Sequence, residues 1–341
     1  MPPVDTSAEP AADDAPPQRN LVDRTADRID AFQRRVPPLA VTHAVLKKYG
    51  EDRGGVLAGL LAFRGFFSLF PLLLAFVNAL GIALRNNPDL RDRLIDSTLS
   101  NIPVIGNDLK STAQPLNGSV WVLVGSVLVA LWAGLGLLEV LQEALNTAWQ
   151  VPMYERPPFL IRKLRDVPAA LVVAACAVLS GAGTFLFTKD TGGVVRLVGS
   201  MAFAVLAGAL ASFGLHQTLC ARKVPLRAQL PGALAVGVGW WLLQVLGTWY
   251  VERIVANSSD TYGVFVVVFG LLSWTYLLGQ VYLYGTELAT VLHDHRWPRS
   301  MSGRDLTDVD HAALAAAMAR ETRVRGTEMN VSIPRNPESP T

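Results

Sequence analysis

The sequence predicts an all-α, polytopic membrane protein: a bundle of six transmembrane helices with amphipathic flanking helices. Three observations lead there. Hydrophobic residues make up 51% of the 341 and charged residues only 17%, with a mean hydropathy of +0.32; soluble domains carry about a quarter charged residues. The charges crowd into two tails and a few short loops, which leaves long stretches nearly bare. Six of those stretches approach or exceed the ~20 apolar residues that a spanning helix needs.

The elements follow in order. Residues 1–20 hold Pro, Ala, Asp and Glu with no apolar core of a signal peptide, and read as a disordered tail. Residues 20–35 form a short amphipathic helix with Val22, Ala26, Ile29 and Phe32 at helical spacing and Asn20 as its cap. Pro37 and Pro38 break it, and residues 39–50 form a second, ending in Lys47 and Lys48. These two helices either lie on the membrane surface or belong to a solvated tail. The spans are Val56–Leu84, Val120–Leu138, Ala169–Phe187, Val194–Leu215, Gly232–Val251 and Val264–Leu288. The second continues beyond its apolar part as Glu139–Trp149. Leu90, Leu94, Ile95 and Leu99 predict an amphipathic helix in the long loop after the first span. A short link with Asp190, Gly192 and Gly193 makes spans three and four a hairpin. Residues 308–325 are Ala-rich and helical, with Thr307 as cap, and the end from Asn330 is disordered. The organisation is therefore a tail (1–37), a six-span domain (38–295) and a polar tail (296–341).

Cations near the span ends orient the bundle. One side carries fifteen: Arg34, Arg35, Lys47, Lys48, Arg53, Arg156, Arg162, Lys163, Arg165, Arg222, Lys223, Arg227, Arg296, Arg299 and Arg304. The other carries seven: Arg85, Arg91, Arg93, Lys110, Lys189, Arg196 and Arg253. The richer side is expected to be cytoplasmic, and an even span count puts both termini there.

Lipid supplies no hydrophobic force between helices, so small residues mark close contacts. Ala204, Gly208 and Ser212 form one stripe, Ala233 with Gly237 and Ala235 with Gly239 two more, and Gly134 and Gly136 sit in the second span. Such stripes are the usual packing glue; the other reading is a pathway lined by small side chains.

Arg64 is the least expected residue. A charge in a membrane helix costs roughly 2.5–3.5 kcal/mol on insertion scales, so it needs a partner, water, or reach to the interface. Snorkelling, a structural ion pair and a functional site all stay open. Glu139, Glu143 and Glu287 are its candidate partners. Glu139 and Glu143 share a helix face, as a solvated pair or around a proton or cation. Glu287 ends the last span in apolar surroundings. Pro71 frees a backbone carbonyl and can kink the first span, with Ser68 near enough to help.

Other chemistry is poorly supported. A net charge of +2 gives no reason to expect nucleic-acid binding. Cys176 and Cys220 have no metal-ligand spacing, and His293-Asp294-His295 lacks further ligands. There is no phosphate-binding loop, nucleophile elbow or dinucleotide fingerprint. No cofactor, no metal and no catalytic residue are expected.

Three stretches carry a resemblance: Ser68-Leu69-Phe70-Pro71-Leu72-Leu73-Leu74; Leu141 to Trp149 (LQEALNTAW); and Pro231-Gly232-Ala233 with Tyr262-Gly263, Trp274 and Gly285-Thr286-Glu287. In this order, over roughly residues 40–295, they resemble the YihY/BrkB family of bacterial inner-membrane proteins, and Gly65-Phe66-Phe67-Ser68 resembles its YhjD-like branch. The resemblance implies six spans and an inner-membrane location. Family members have been named for serum resistance and as ribonuclease BN, and the YhjD-like branch has been connected with export of lipid A precursors. Asn146 and Glu287 match the family pattern, whereas Arg64 departs from it. The expected function is movement of a lipid or small amphiphile for envelope maintenance, with membrane lipids as partners, Arg64 attracting an anionic head and Pro71 letting the first span flex. The alternative is a non-catalytic scaffold for envelope proteins, acting through residues 85–118. A ribonuclease ranks third.

Overall fold

A computed structural model describes residues 28, 30–83, 89, 120–187, 193–253, 263–301 and 306–327. Among them there is no strand. The predicted loop helix at Leu90–Leu99 and the tip of the Asp190–Gly192 link lie outside the described residues, as do Asn20, Val22, Ala26 and Ile29.

Helix α1 (Pro37–Glu51) begins on a proline, whose fixed φ and missing N–H suit a first turn. The two prolines thus start this helix. Arg53 turns with φ 54° into α2 (Gly54–Ala83). The turn is tight: a Cβ on Gly54 would lie 2.3 Å from the Tyr49 ring. Helix α2 runs through Pro71. The freed carbonyl is not taken by Ser68, whose hydroxyl donates instead to the Gly65 carbonyl at 2.9 Å.

Next come α3 (Val120–Ala148), a single 3-10 turn (Met153–Glu155), α4 (Phe159–Phe187), α5 (Gly193–Leu219), α6 (Leu226–Arg253) and α7 (Gly263–His293). Several of these extend past the apolar run that predicts them. Helix α4 starts ten residues before Ala169, and α6 starts at Leu226 with Pro231 inside it. Helix α8 (Asp308–Arg320) has Thr307 as its cap, in a capping box with Asp310.

The six long helices pack in the order α3, α2, α7, α6, α5, α4, and α3 touches α4 only lightly to close the ring. Helix α1 lies across α7. Over their described residues four of the six, α2, α3, α5 and α6, are long and apolar enough to cross a membrane. Large apolar side chains such as Phe63, Trp132, Val178 and Leu246 stand exposed around the ring.

The stripes on α5 and α6 sit where backbones meet, whereas Gly134 of α3 has open space beside it and Gly136 meets the Arg64 side chain. A Cβ on Gly237 would lie 2.2 Å from the Val205 carbonyl oxygen, and one on Gly208 would lie 3.0 Å from Gly237 Cα. Gly232 and Gly285 make a matching approach between α6 and α7, with a Cβ on Gly232 2.2 Å from the Gly285 oxygen. The buried core gathers at one end of the ring, around Leu145, Trp149, Leu219, Val236 and Leu283. Most of the cations sit at that same end, which we call the basic end.

Candidate functional site

Two regions stand out, an ion network at the basic end and a cavity between the helices.

The network begins with Lys48. On α1, Lys47 and Lys48 point about 100° apart, so one faces the C-terminal segment and the other the bundle. Lys48 is 2% exposed. Its ammonium donates to Asp52 at 2.5 Å, to Glu287 at 2.6 Å and to the Ala148 carbonyl at 2.8 Å. Asp52 also accepts from Gln150 at 3.1 Å and from Arg320 on α8 at 2.7 Å. Two cations and two carboxylates thus share one dry site, and every charge has an opposite neighbour, as burial requires.

A second set ties the two terminal segments to α1. Arg299, 1% exposed, grips Glu51 with two bonds of 2.7 and 2.9 Å and reaches Asp310 at 3.0 Å. Asp310 also accepts from Lys47 (2.9 Å), the Ser300 amide (2.9 Å) and the Thr307 hydroxyl (2.8 Å). Burial alone would raise the Asp310 pKa. The Ser300 amide, Lys47 and Thr307 outweigh it and hold the carboxyl well below the ordinary range. Asp30 accepts from Gln33, Arg34 and the Met301 amide, and Gln33 donates to the Arg299 carbonyl.

The sequence-predicted residues fall as follows. Glu287 is 3% exposed and pairs with Lys48. Asn146 is equally buried; its side-chain oxygen accepts from the Ala221 amide at 2.8 Å, which stitches α3 to the turn between α5 and α6. Glu143 is exposed and binds Arg156 at 2.6 Å. Glu139 faces Arg162 and Lys163 at 3.8 and 3.6 Å. So Glu139 and Glu143 each meet cations of the α3–α4 region rather than sharing one ion. None of the three carboxylates pairs with Arg64. Arg64 lies against Gly136 of α3, where a Cβ would sit 2.8 Å from its guanidinium. The glycine makes room for it, and no ion pair to it is present among the described residues.

Lys48, Asp52, Arg299 and Asp310 are the residues that sequence reasoning missed. The available signal was Lys48 and Asp52 four apart on one helix. Their remote partners leave no local trace.

The cavity lies between α4, α5 and α6. It comprises two adjoining hollows of about 230 Å³ each, both bordered by Ser180, Ala204, Trp241 and Gln244. One reaches Ser200 and Phe203, the other Cys176 and Leu215. Its α5 and α6 walls belong to two of the candidate spans. Gly208 meets Gly237, as packing requires, and Ala204 and Gly208 both border the cavity. Trp240, also on the wall, donates its indole N–H to the Leu278 carbonyl at 3.2 Å and stacks on Tyr282. The Tyr282 hydroxyl stands 3.4 Å from His216 Nδ1, which also lies 2.7 Å from the Ser212 carbonyl. Among the described residues, no group of three His, Cys, Asp or Glu side chains could hold a metal.

The family model described as Virulence factor BrkB matches residues 45–306. The ribonuclease-like protein YfkH of Bacillus subtilis is 23% identical over 265 residues, covering 74% of this chain and 94% of that protein. The inner membrane protein YhjD of Escherichia coli is 21% identical over 288 residues, covering 77% and 82%. A UPF0761 membrane protein of Nitrosospira multiformis is 23% identical over 288 residues, covering 81% and 66%. No solved structure matches the chain.

Proposed function

Since the chain belongs to the BrkB virulence-factor family of multi-pass inner-membrane proteins, we propose that it moves a lipid or small amphiphile across the membrane for envelope maintenance. The cavity between α4, α5 and α6 carries this reading. Polar Ser180, Ser200 and Gln244 border a hollow between three of the long helices. A transporter needs such a place, where a polar head is sheltered while apolar chains stay in lipid. Six spans, with both termini on the cytoplasmic side, belong to the same reading. The length of α4 and α7, 29 and 31 residues, supports the count, and the gathering of cations at one end supports the orientation.

The test is reconstitution into phospholipid vesicles with a trace of head-labelled fluorescent lipids of several head-group classes. Protein-containing vesicles should expose inner-leaflet label to an external quencher faster than empty ones for at least one class, and Gln244→Leu should slow that exposure about tenfold. Equal rates with and without protein for every class overturn the reading.

A further inference from the structure

We infer that the turn between α5 and α6 binds the head group of an anionic phospholipid from the surrounding bilayer, through Arg222, Lys223 and Arg227. This site is independent of whether the bundle moves lipid. The apolar stretches of α5 and α6 that suit a membrane end at Leu219 and begin at Leu226. The residues between them, Cys220 to Pro225, therefore turn the chain at the bilayer surface, at the depth of the phosphates. Arg227 stands at the same edge, one residue into α6.

The turn is built so that its cations face outward. Leu219, Cys220, Val224 and Ala228 are buried in the core of the basic end, whereas Arg222, Lys223 and Arg227 are exposed. Side chains from four helices hold its backbone. Asn146 of α3 accepts from the Ala221 amide at 2.8 Å, and Arg165 of α4 donates to the Cys220 carbonyl at 3.3 Å. Gln217 of α5 and Gln229 of α6 both donate to the Val224 carbonyl, at 3.2 and 3.0 Å. A backbone fixed in this way loses little further freedom when a ligand settles on it.

Elsewhere at the basic end the protein supplies its own counter-charges, as Glu287 does for Lys48 and Glu51 for Arg299. Arg222, Lys223 and Arg227 make no ion pair among the described residues. Beside them, Leu226 and Leu230 of α6 stand exposed, and Leu230 shares the helix face of Arg227. Cations at phosphate depth over exposed leucines fit one kind of ligand: a phosphate takes the guanidinium and ammonium groups, and its acyl chains run along the leucines. A soluble anion would leave the leucines idle, and an uncharged lipid would leave the cations idle. An anionic leaflet strengthens binding about fivefold for each such cation.

The experiment uses the full chain in phosphatidylcholine vesicles with two photoactivatable probes of matched acyl chains, one phosphatidylglycerol and one phosphatidylcholine. Cross-linked residues are mapped by mass spectrometry. The phosphatidylglycerol probe should label residues 219–230 about tenfold more than the phosphatidylcholine probe. Replacing Arg222, Lys223 and Arg227 together by Gln should bring that labelling down to the phosphatidylcholine level. Arg222→Lys with Arg227→Lys, which keeps the charge, should preserve most of it. Replacing Arg35, Arg323 and Arg325 together by Gln removes as much charge from other exposed positions and should leave the labelling of the turn unchanged. Inorganic phosphate should compete no better than sodium chloride of equal ionic strength. Equal labelling of the turn by the two probes overturns the inference, as does an equal loss in both triple Gln variants. Stronger competition by inorganic phosphate than by the matched salt overturns it in favour of a soluble anion.

Discussion

The basic end and the α4–α6 region of the ring solve opposite problems. At the basic end, charges are buried and each is matched: Lys48 with Asp52 and Glu287, Arg299 with Glu51 and Asp310. Around the cavity, the buried seams are glycine on glycine, and the polar groups are neutral. The first arrangement is rigid, because removing any partner strands a charge in a dry site. The second holds together by close backbone contact and leaves a hollow. The difference lies in what holds each region: matched charges tie remote segments together at one end, and close backbone contact holds the helices beside the hollow.

This comparison breaks most sharply at Lys48. Lys48→Met leaves Glu287 and Asp52 buried without their shared cation, and thermal unfolding in detergent should show a loss of about 3–5 kcal/mol. Adding Glu287→Met should recover much of it; no recovery would mean that Lys48 acts through packing alone. Gly237→Leu should come next, since its side chain meets the Val205 carbonyl and pushes α5 from α6. Overpacking of this kind costs about 1–3 kcal/mol, sometimes more, and lipid movement should fall with it. Asn146→Ala strands the Ala221 N–H and should cost about 1–3 kcal/mol, read by the same unfolding curve.

Acid sharpens the comparison further. The folded pKa of Asp310 is depressed, so its contribution is complete above the unfolded value of about 3.9 and is lost as pH falls from there toward the folded value. Proteolysis between α7 and α8 should therefore speed up below that value, and Asp310→Asn should give similar cleavage at neutral pH. Proteolysis unchanged by both would detach α8 from the network. The smallest effect on stability belongs to Gln244→Leu, about 0.5–1 kcal/mol for an exposed side chain that loses its partner, while lipid movement drops about tenfold.

Much of the architecture was legible in advance. Apolar length placed all six long helices, Thr307 marked the start of α8, and the glycine stripes named the seams between α5, α6 and α7. The candidate site was legible only in part. Glu287 and Asn146 emerged as buried and engaged, but Arg64, the residue that hydropathy made most conspicuous, found a glycine rather than a carboxylate. The Lys48 pair was hidden because a flanking lysine reads the same whether it faces water or the bundle.

By itself, the sequence determined what is written locally: helix length, apolarity, caps, and the small residues that permit close approach. These follow from neighbours within a turn or two and from the cost of taking backbone and charge into lipid. Only the tertiary structure decided which charge meets which, because Lys48 and Glu287 are joined by ring order and not by spacing. It alone also decided that α4, α5 and α6 border an open hollow, since a hollow is what three separately predictable helices leave unfilled beside them.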